Sequence, residues 1–424
     1  MVKKTRLNSR HHKMGANMAE FGGYEMPLWY KTGAKDEHLA VLRAAGLFDT
    51  SHMAFVGLRG GGCLALLQKT FSKDLNACIG PNKLPIADKR CVYGVFLNEE
   101  GHVIDDAIVY KFADDNYSIV VNAGMGKGIA DHLENYKGGL DVKITDYSDN
   151  LGKFDVQGPL SGLIVKSVIN NPKEVFGVFP YFSHKGHFDK SLQNSVEVTL
   201  KNSNIPILLS RTGYTGEFGF EIFVALDFFE EVWDLFIEAG RIYELTPCGL
   251  ASRDSLRAGA CLPLSHQDIG HWPYLNHPWE FTLPFTEDKK GFDKEFVGSS
   301  ALLNSDYNYH TYAFAGSDLR KVNADEAVVV DENDNEIGKV LTCATDVGAD
   351  WADGKIFSIS SPPDSGKPSD FKPKGIRCGF VCVDKKLNIG DKVYLKAKKR
   401  KLDAVIVNDV RPHRTARKKI TSMP

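Results

Sequence analysis

The sequence predicts an α+β protein that ends in a small β-barrel, on three observations. Strand-like segments in the first third are joined by short polar turns, Asn98–Gly101 and Ala113–Asn116, so they must run as antiparallel neighbours. Helical segments are mixed among these strands. After about residue 310, short strands recur at even spacing, as in a small barrel. At 424 residues the chain exceeds one ordinary core, so two or three domains are expected.

Composition narrows the function classes. Hydrophobic content of 43% and charged content of 25% are those of a soluble globular protein. A net charge of −2 supplies no general basic field for nucleic acid. No apolar run nears the length of a membrane helix. The basic start, Met1–His12, lacks a following apolar stretch and does not read as a secretory signal. The eight cysteines are scattered without a C-x-x-C pair, which argues against zinc ribbons and for reduced thiols in a cytoplasmic setting.

The elements follow in order. Lys35–Ala45 reads as a helix ended by Gly46. Ala54–Arg59 alternates as a strand, and Cys63–Thr70 reads as a helix after three glycines. Val92–Leu97, Val103–Phe112 and Tyr117–Asn122 form a meander. Strands are expected at Leu151–Gln157, Ser195–Leu200, Ile207–Ser210 and Phe220–Val224, then a helix over Phe228–Glu238. Pro247–Arg257 starts as a loop and becomes a helix, and His266–Phe285 has little regular pattern. Barrel strands are expected at Ala327–Val330, Ile337–Leu341, Ile376–Val383, Lys392–Leu395 and Leu402–Val407, with Trp351–Lys374 a long inserted loop.

Arg211–Val224 is the most informative stretch: a glycine-punctuated turn that runs into an apolar strand carrying Glu221. A carboxylate there is expensive to bury without a partner. Either it faces water, or matching donors meet it. A flat heterocycle with adjacent N–H groups would suit it, because one carboxylate accepts two parallel hydrogen bonds.

Asp105 and Asp106 stand side by side in an apolar strand and must face opposite ways. At least one is expected in a low-polarity place, suited to acid/base or electrostatic work or else bonded to a turn amide. Arg253 and Arg257 share a helix face. If Asp254 pairs with Arg257, Arg253 is free to hold a carbonyl or carboxylate; a surface salt-bridge helix is the alternative. Asn122–Gly128 is a plausible anion cradle but matches no nucleotide motif. His52 reads as a base or a structural donor. His266, His271 and His277 lack the spacing of a metal-ligand pair. Lys396–Lys401 reads as a solvated hairpin edge, or else as an attractor for an anionic substrate tail.

Six segments in order resemble the T-protein of the glycine cleavage system, a tetrahydrofolate-dependent aminomethyltransferase: Phe21–Pro27, Gly46–Met53, Val103–Asp106, Val156–Pro159, Gly213–Glu217 with Glu221, and Cys248–Arg257. They cover roughly residues 14 to 285, and the barrel strands fit that family's C-terminal domain. The resemblance implies a three-domain cloverleaf: an N-terminal α+β domain over 1–145, a middle α+β domain over 146–300 and a C-terminal β-barrel domain over 310–424. It implies folate in a central channel. Asp106 is then the carboxylate beside the reactive N5/N10 region, Glu221 the grip on the pterin, and Arg253 a lining residue. Tyr93, Tyr110 and Tyr214 match aromatic positions near the cofactor, and Arg411 or Arg414 is placed at the folate tail.

The resemblance implies transfer of an aminomethyl group from a lipoyl carrier protein (H-protein) to tetrahydrofolate, with release of ammonia. Relatives with the same pocket demethylate small sulfonium, methoxy or N-methyl compounds, and others bind folate without turnover. Leu262–Glu280 departs from the family's passage, and the 351–374 loop is extra.

Overall fold

The computed structural model describes residues 2–189 and 196–424. The meander forms a five-stranded antiparallel sheet. Its order is Cys91–Leu97, Val103–Ala113, Asn116–Val121, Ala54–Arg59 and Lys143–Asp146. Helices Cys63–Thr70 and Gly126–Lys137 pack on one face, with Leu66, Phe71, Val109, Ile119 and Leu133 fully buried between. The alternating apolar residues of the strands supply that face.

A second, six-stranded sheet is ordered His184–Gly186, Leu208–Ser210, Gly219–Ala225, Leu151–Gln157, Ala45–Asp49 and Leu245–Cys248. All pairs are antiparallel except the last. Helices Ser161–Val168 and Phe229–Gly240 cover one face through Ile164, Val165, Trp233 and Phe236, against Phe154, Phe220 and Ile222.

The expected barrel is closed and six-stranded, with neighbours His310–Ala315, Ile376–Val383, Glu336–Asp346, Val328–Val330, Lys392–Ala397 and Arg400–Val407. Phe314, Val329, Val381, Leu395 and Ile406 fill it. The chain is thus an α+β protein with a C-terminal barrel, as its sequence indicates.

Four expectations need correction. Gly46 does not stop a helix: the helix is Ala34–Arg43, and Gly46 lies inside the buried Ala45–Asp49 strand. A Cβ there would sit 2.4 Å from Val41 and 2.8 Å from the Cys248 sulfur, so glycine permits a close strand–helix contact. The strand expected over Ser195–Leu200 begins outside the described residues, and only isolated bridges at Thr199 and Leu200 remain of it. The barrel has a strand, His310–Ala315, that the sequence reading missed. The 351–374 loop begins as a hairpin, Ala349–Ala352 with Lys355–Ser358, before becoming irregular. The basic 396–401 run is a hairpin end as expected, with Lys396 opposite Lys401.

Leu262–Glu280 is irregular but not loose. Ile269, Tyr274 and Trp279 are buried between Val95, Leu97 and Val103 of the five-stranded sheet and Leu341 and Phe380 of the barrel. Buried arginines fasten the same junctions. Arg257 pairs with Asp268 and donates to Thr342 Oγ1 at 3.1 Å. Arg411, 1% exposed, pairs with Glu217 and Asp346, which joins the Gly213–Glu217 turn to the barrel. Removing one member strands buried charge. Arg411→Ala should therefore lower stability by about 3–5 kcal/mol in urea unfolding.

Candidate functional site

The second sheet builds one end of the site. In its register Asp155 lies opposite Glu221. Lys153 stands two residues before Asp155 and so on the same face. Its ammonium is buried 2.6 Å from Asp155 Oδ1, 2.7 Å from Glu221 Oε1 and 3.0 Å from Thr50 Oγ1. Those three acceptors match its three protons. Thr50 in turn donates to Asp155 Oδ1 at 2.9 Å.

Arg253, on helix Leu250–Gly259, donates from Nη1 to Asp155 Oδ2 at 2.8 Å. Burial pushes the Asp155 carboxyl up, but Lys153 and Arg253 outweigh it and hold the group below its ordinary value. The Arg253 guanidinium also lies 5.0 Å from the centre of the Tyr214 ring, in cation–π range. Its side chain keeps 12% exposure, against 0% for Asp155. Tyr214 donates its hydroxyl to the Pro263 carbonyl.

Glu221 is 5% exposed. Its second oxygen accepts from the Thr212 hydroxyl, and from the buried Tyr110 hydroxyl at 3.5 Å. The donors it needs are therefore present within the chain, chiefly Lys153. The sequence reading looked for them in a ligand and missed Lys153 and Asp155. Their signal was available: two charged residues at i and i+2 on an otherwise apolar strand.

The first sheet builds the other end. Asp106 is half-buried, and Asp105 is fully buried. Tyr93, on the neighbouring strand, donates to Asp106 Oδ2 at 2.8 Å. Asn122 bridges the pair: its Nδ2 donates to Asp105 Oδ1 at 2.8 Å and to Asp106 Oδ1 at 2.6 Å, and its backbone N–H donates to Asp105 Oδ2 at 2.8 Å. The supposed anion cradle at Asn122 thus holds an internal carboxylate. Burial raises the Asp106 carboxyl, against hydrogen bonds from Tyr93 and Asn122. Asp105 is pushed up to about 7, by burial first and by the charge of Asp106 second. Burial and the charge of Asp106 hold the Tyr93 phenol well above its usual range.

A track of side chains runs from each end toward Tyr214: Tyr93 bonds Asp106 on one side, and Glu221, Lys153, Asp155 and Arg253 are linked in turn on the other, with Arg253 against the Tyr214 ring. The charges of Asp106 and Arg253 both act on Tyr214. Two surface hollows, about 430 Å³ beside 397–400 and about 110 Å³ between 73–83 and 283–293, lie away from this track.

The remaining expected residues divide. Arg411 is locked in the ion pairs described above, so it is not available to a ligand tail, a correction to that expectation. Arg414 is half-buried, pairs with Asp409, and lies against Gly216. Arg257 is buried, which overturns the surface-helix alternative. His52 is buried between Phe21 and Tyr24 at 5.7 and 6.4 Å, and its Nδ1 has no hydrogen-bond partner among the described residues. Burial lowers it to about 4, so it is a neutral imidazole at pH 7.

The GCVT N-terminal domain family matches residues 7–289. The chain belongs to this family. Aminomethyltransferases from two strains of Staphylococcus epidermidis are each 29% identical over 408 residues, covering 96% of this chain and 97% of theirs. The glycine cleavage system aminomethyltransferase T of Bartonella henselae shares the fold, with a TM-score of 0.73 at 22% identity, over 96% of this chain and 97% of that one. No helix among the described residues is long and apolar enough to cross a membrane.

The raised Asp105 carboxyl has a stability consequence. Between its ordinary value near 4 and its folded value of about 7, the native state holds a proton that the unfolded state has released. Stability therefore falls as pH rises through that window. Asp105→Asn should remove this slope, gaining on the wild type by about 1–4 kcal/mol from pH 5 to pH 8 in paired urea titrations.

Proposed function

We propose that this protein is the aminomethyltransferase of a glycine cleavage system. It moves an aminomethyl group from a lipoyl carrier protein to tetrahydrofolate, yielding 5,10-methylene-tetrahydrofolate and ammonia. The observation that carries this reading is Asp106. It is a half-buried carboxylate fixed by Tyr93 and Asn122, in a chain matched almost end to end by proteins named aminomethyltransferases.

The donor set fits a reduced pterin. Glu221, oriented by its ion pair with Lys153, presents acceptor lone pairs to ring N–H groups. Arg253 offers further donors and Tyr214 an aromatic face. The orphaned Nδ1 of buried His52 leaves one more polar atom for a ligand to satisfy. Tyr93 and Tyr110 fix the two carboxylates by hydrogen bonds. Arg414 lies beside the Gly213–Gly216 turn, and this reading gives it the anionic tail of folate.

When bound, tetrahydrofolate supplies the nitrogens that accept the carbon unit. Asp106 stabilises positive charge that develops beside it, and it needs no reorganisation because both its oxygens are already held. The sheets supply alignment. Under this reading the chain divides near residues 145 and 310, with the 45–49 strand lent by the first part to the sheet of the second. Free and mostly buried thiols support a reducing, cytoplasmic setting.

Three measurements test the proposal. Asp106→Asn should retain tetrahydrofolate binding but lose about 10²–10⁴ in turnover. Unchanged turnover removes Asp106 from the chemistry. The purified protein should also form methylene-tetrahydrofolate from an aminomethylated lipoyl carrier and leave sulfonium, methoxy and N-methyl compounds untouched. Demethylation of those compounds instead would make it a folate-dependent demethylase, and folate binding without either reaction a regulator. Glu221→Ala should weaken tetrahydrofolate binding by about 1.5–3 kcal/mol in calorimetry, the worth of a charged hydrogen bond.

A further inference from the structure

Behind Asp106 stands a second titratable assembly that the proposed reaction has not yet used. Asp105 is sealed from water, whereas the His266 side chain is 39% exposed and places Nε2 3.8 Å from Asp105 Oδ1. Segment 262–280, which departs from the family's passage, delivers this histidine. Its turn is held rigidly. Leu264 N–H donates to Asp268 Oδ2 at 2.9 Å, and Asp268 is pinned by Arg257 and by the Thr342 hydroxyl at 2.6 Å. Gln267 Nε2 donates to Thr342 Oγ1 at 2.8 Å. Within this frame His266 itself adopts φ 64°, a left-handed conformation strained for a residue with a Cβ. The strained residue is the one that reaches the aspartate pair.

We propose that His266 and Asp105 share a proton behind Asp106 and exchange it with solvent as the site handles protons during transfer. This rests on the aminomethyltransferase reading. That reaction forms two C–N bonds, at N5 and N10 of the folate, and breaks the C–S and C–N bonds of the donor. The two folate N–H protons end on the carrier sulfur and on the departing ammonia. Protons must therefore move inside a largely buried site. Asp105 can hold one near neutral pH. His266 stands between Asp105 and water, and hydrogen bonds in ligand-free sites often tighten only in the working complex.

The other groups facing the pair are known. Asp106 and Asn122 lie beside Asp105. Ser265 acts on Asp105 from the same turn, and the His271 ring is 6.1 Å from that of His266. Tyr93, Tyr214 and Tyr274 flank Asp106. Apart from His271, none of these offers a basic group to Asp105. His266 and Asp105 act through Asp106, so they are positioning residues.

The test has two arms. In the free protein, the midpoint of the His266 ring titration followed by NMR should be displaced in Asp105→Asn, because the ring loses the carboxyl with which it exchanges a proton. An unmoved midpoint overturns the coupling. In the transfer assay, His266→Gln should reduce turnover at least tenfold with unchanged tetrahydrofolate affinity, and added imidazole should restore part of it. Wild-type turnover with an unchanged pH profile overturns the inference while leaving the reaction intact. Absence of transfer in the wild type overturns the reaction itself, and with it the role assigned to this pair.

Discussion

One buried ammonium organises the middle of this protein. Lys153 sits between Asp155 and Glu221 on adjacent strands; without it Glu221 would lose its ion-pair partner and Asp155 would keep Arg253 alone. The strand register makes the arrangement possible, since Asp155 and Glu221 are directly opposed. Two carboxylates so placed would repel one another and resist ionising together. Lys153 between them, with Arg253 on the outer oxygen of Asp155, holds the Asp155 carboxyl below its ordinary value despite its burial. Three separate parts of the chain, the 45–49 strand with Thr50, the central strands and the 250–259 helix, are committed to one geometry by this cluster.

The same logic recurs where the sheets meet the barrel. Arg257 and Arg411 are both buried, and each reaches carboxylates on a different structural unit. Buried ion pairs are weak evidence for net stability, because desolvation offsets their attraction. Their effect is to penalise any arrangement in which a partner is missing. The Gly213–Glu217 turn, segment 262–280 and the barrel are thereby held in fixed mutual positions. Side chains such as Tyr214 and His266 inherit that fixity, which a site built from irregular segments would otherwise lack.

The sequence revealed much of this, and the reasons it did not reveal the rest are local. The meander and most barrel strands were legible because alternation and polar turns sit within single short segments. Gly46 was misread because its role depends on Cys248, some two hundred residues away, and on Val41 packing close. The His310–Ala315 strand was missed although its pairing with 376–383 and 400–407 closes the barrel, which is a non-local fact. Asp106 and Glu221 stood out because a carboxylate in an apolar strand is locally anomalous. Lys153 carried the same anomaly, yet long amphipathic side chains so often reach water that it drew no notice. Arg411 was misassigned for a related reason: an arginine's partners are set by the fold, and here they are Glu217 and Asp346.

The two ends of the track differ in charge, and that difference divides their work. Around Glu221, two cations and two anions balance: Lys153 and Arg253 against Asp155 and Glu221. A balanced cluster can hydrogen-bond neutral N–H groups without changing its own ionisation, which suits recognition. Around Asp106 there is no buried cation among the described contacts: Asn122 and Tyr93 bond it, and the half-exposed His266 stands beside Asp105. That end tends to negative charge and resists full ionisation, so it gains most from a group that becomes positive. Stabilisation that grows as charge develops is what accelerates a reaction, whereas equal grip on the bound state and the transition state does not. Under the proposed function, binding and chemistry thus fall to opposite ends, through the presence of Lys153 at one and the absence of a counterpart among the described contacts at the other.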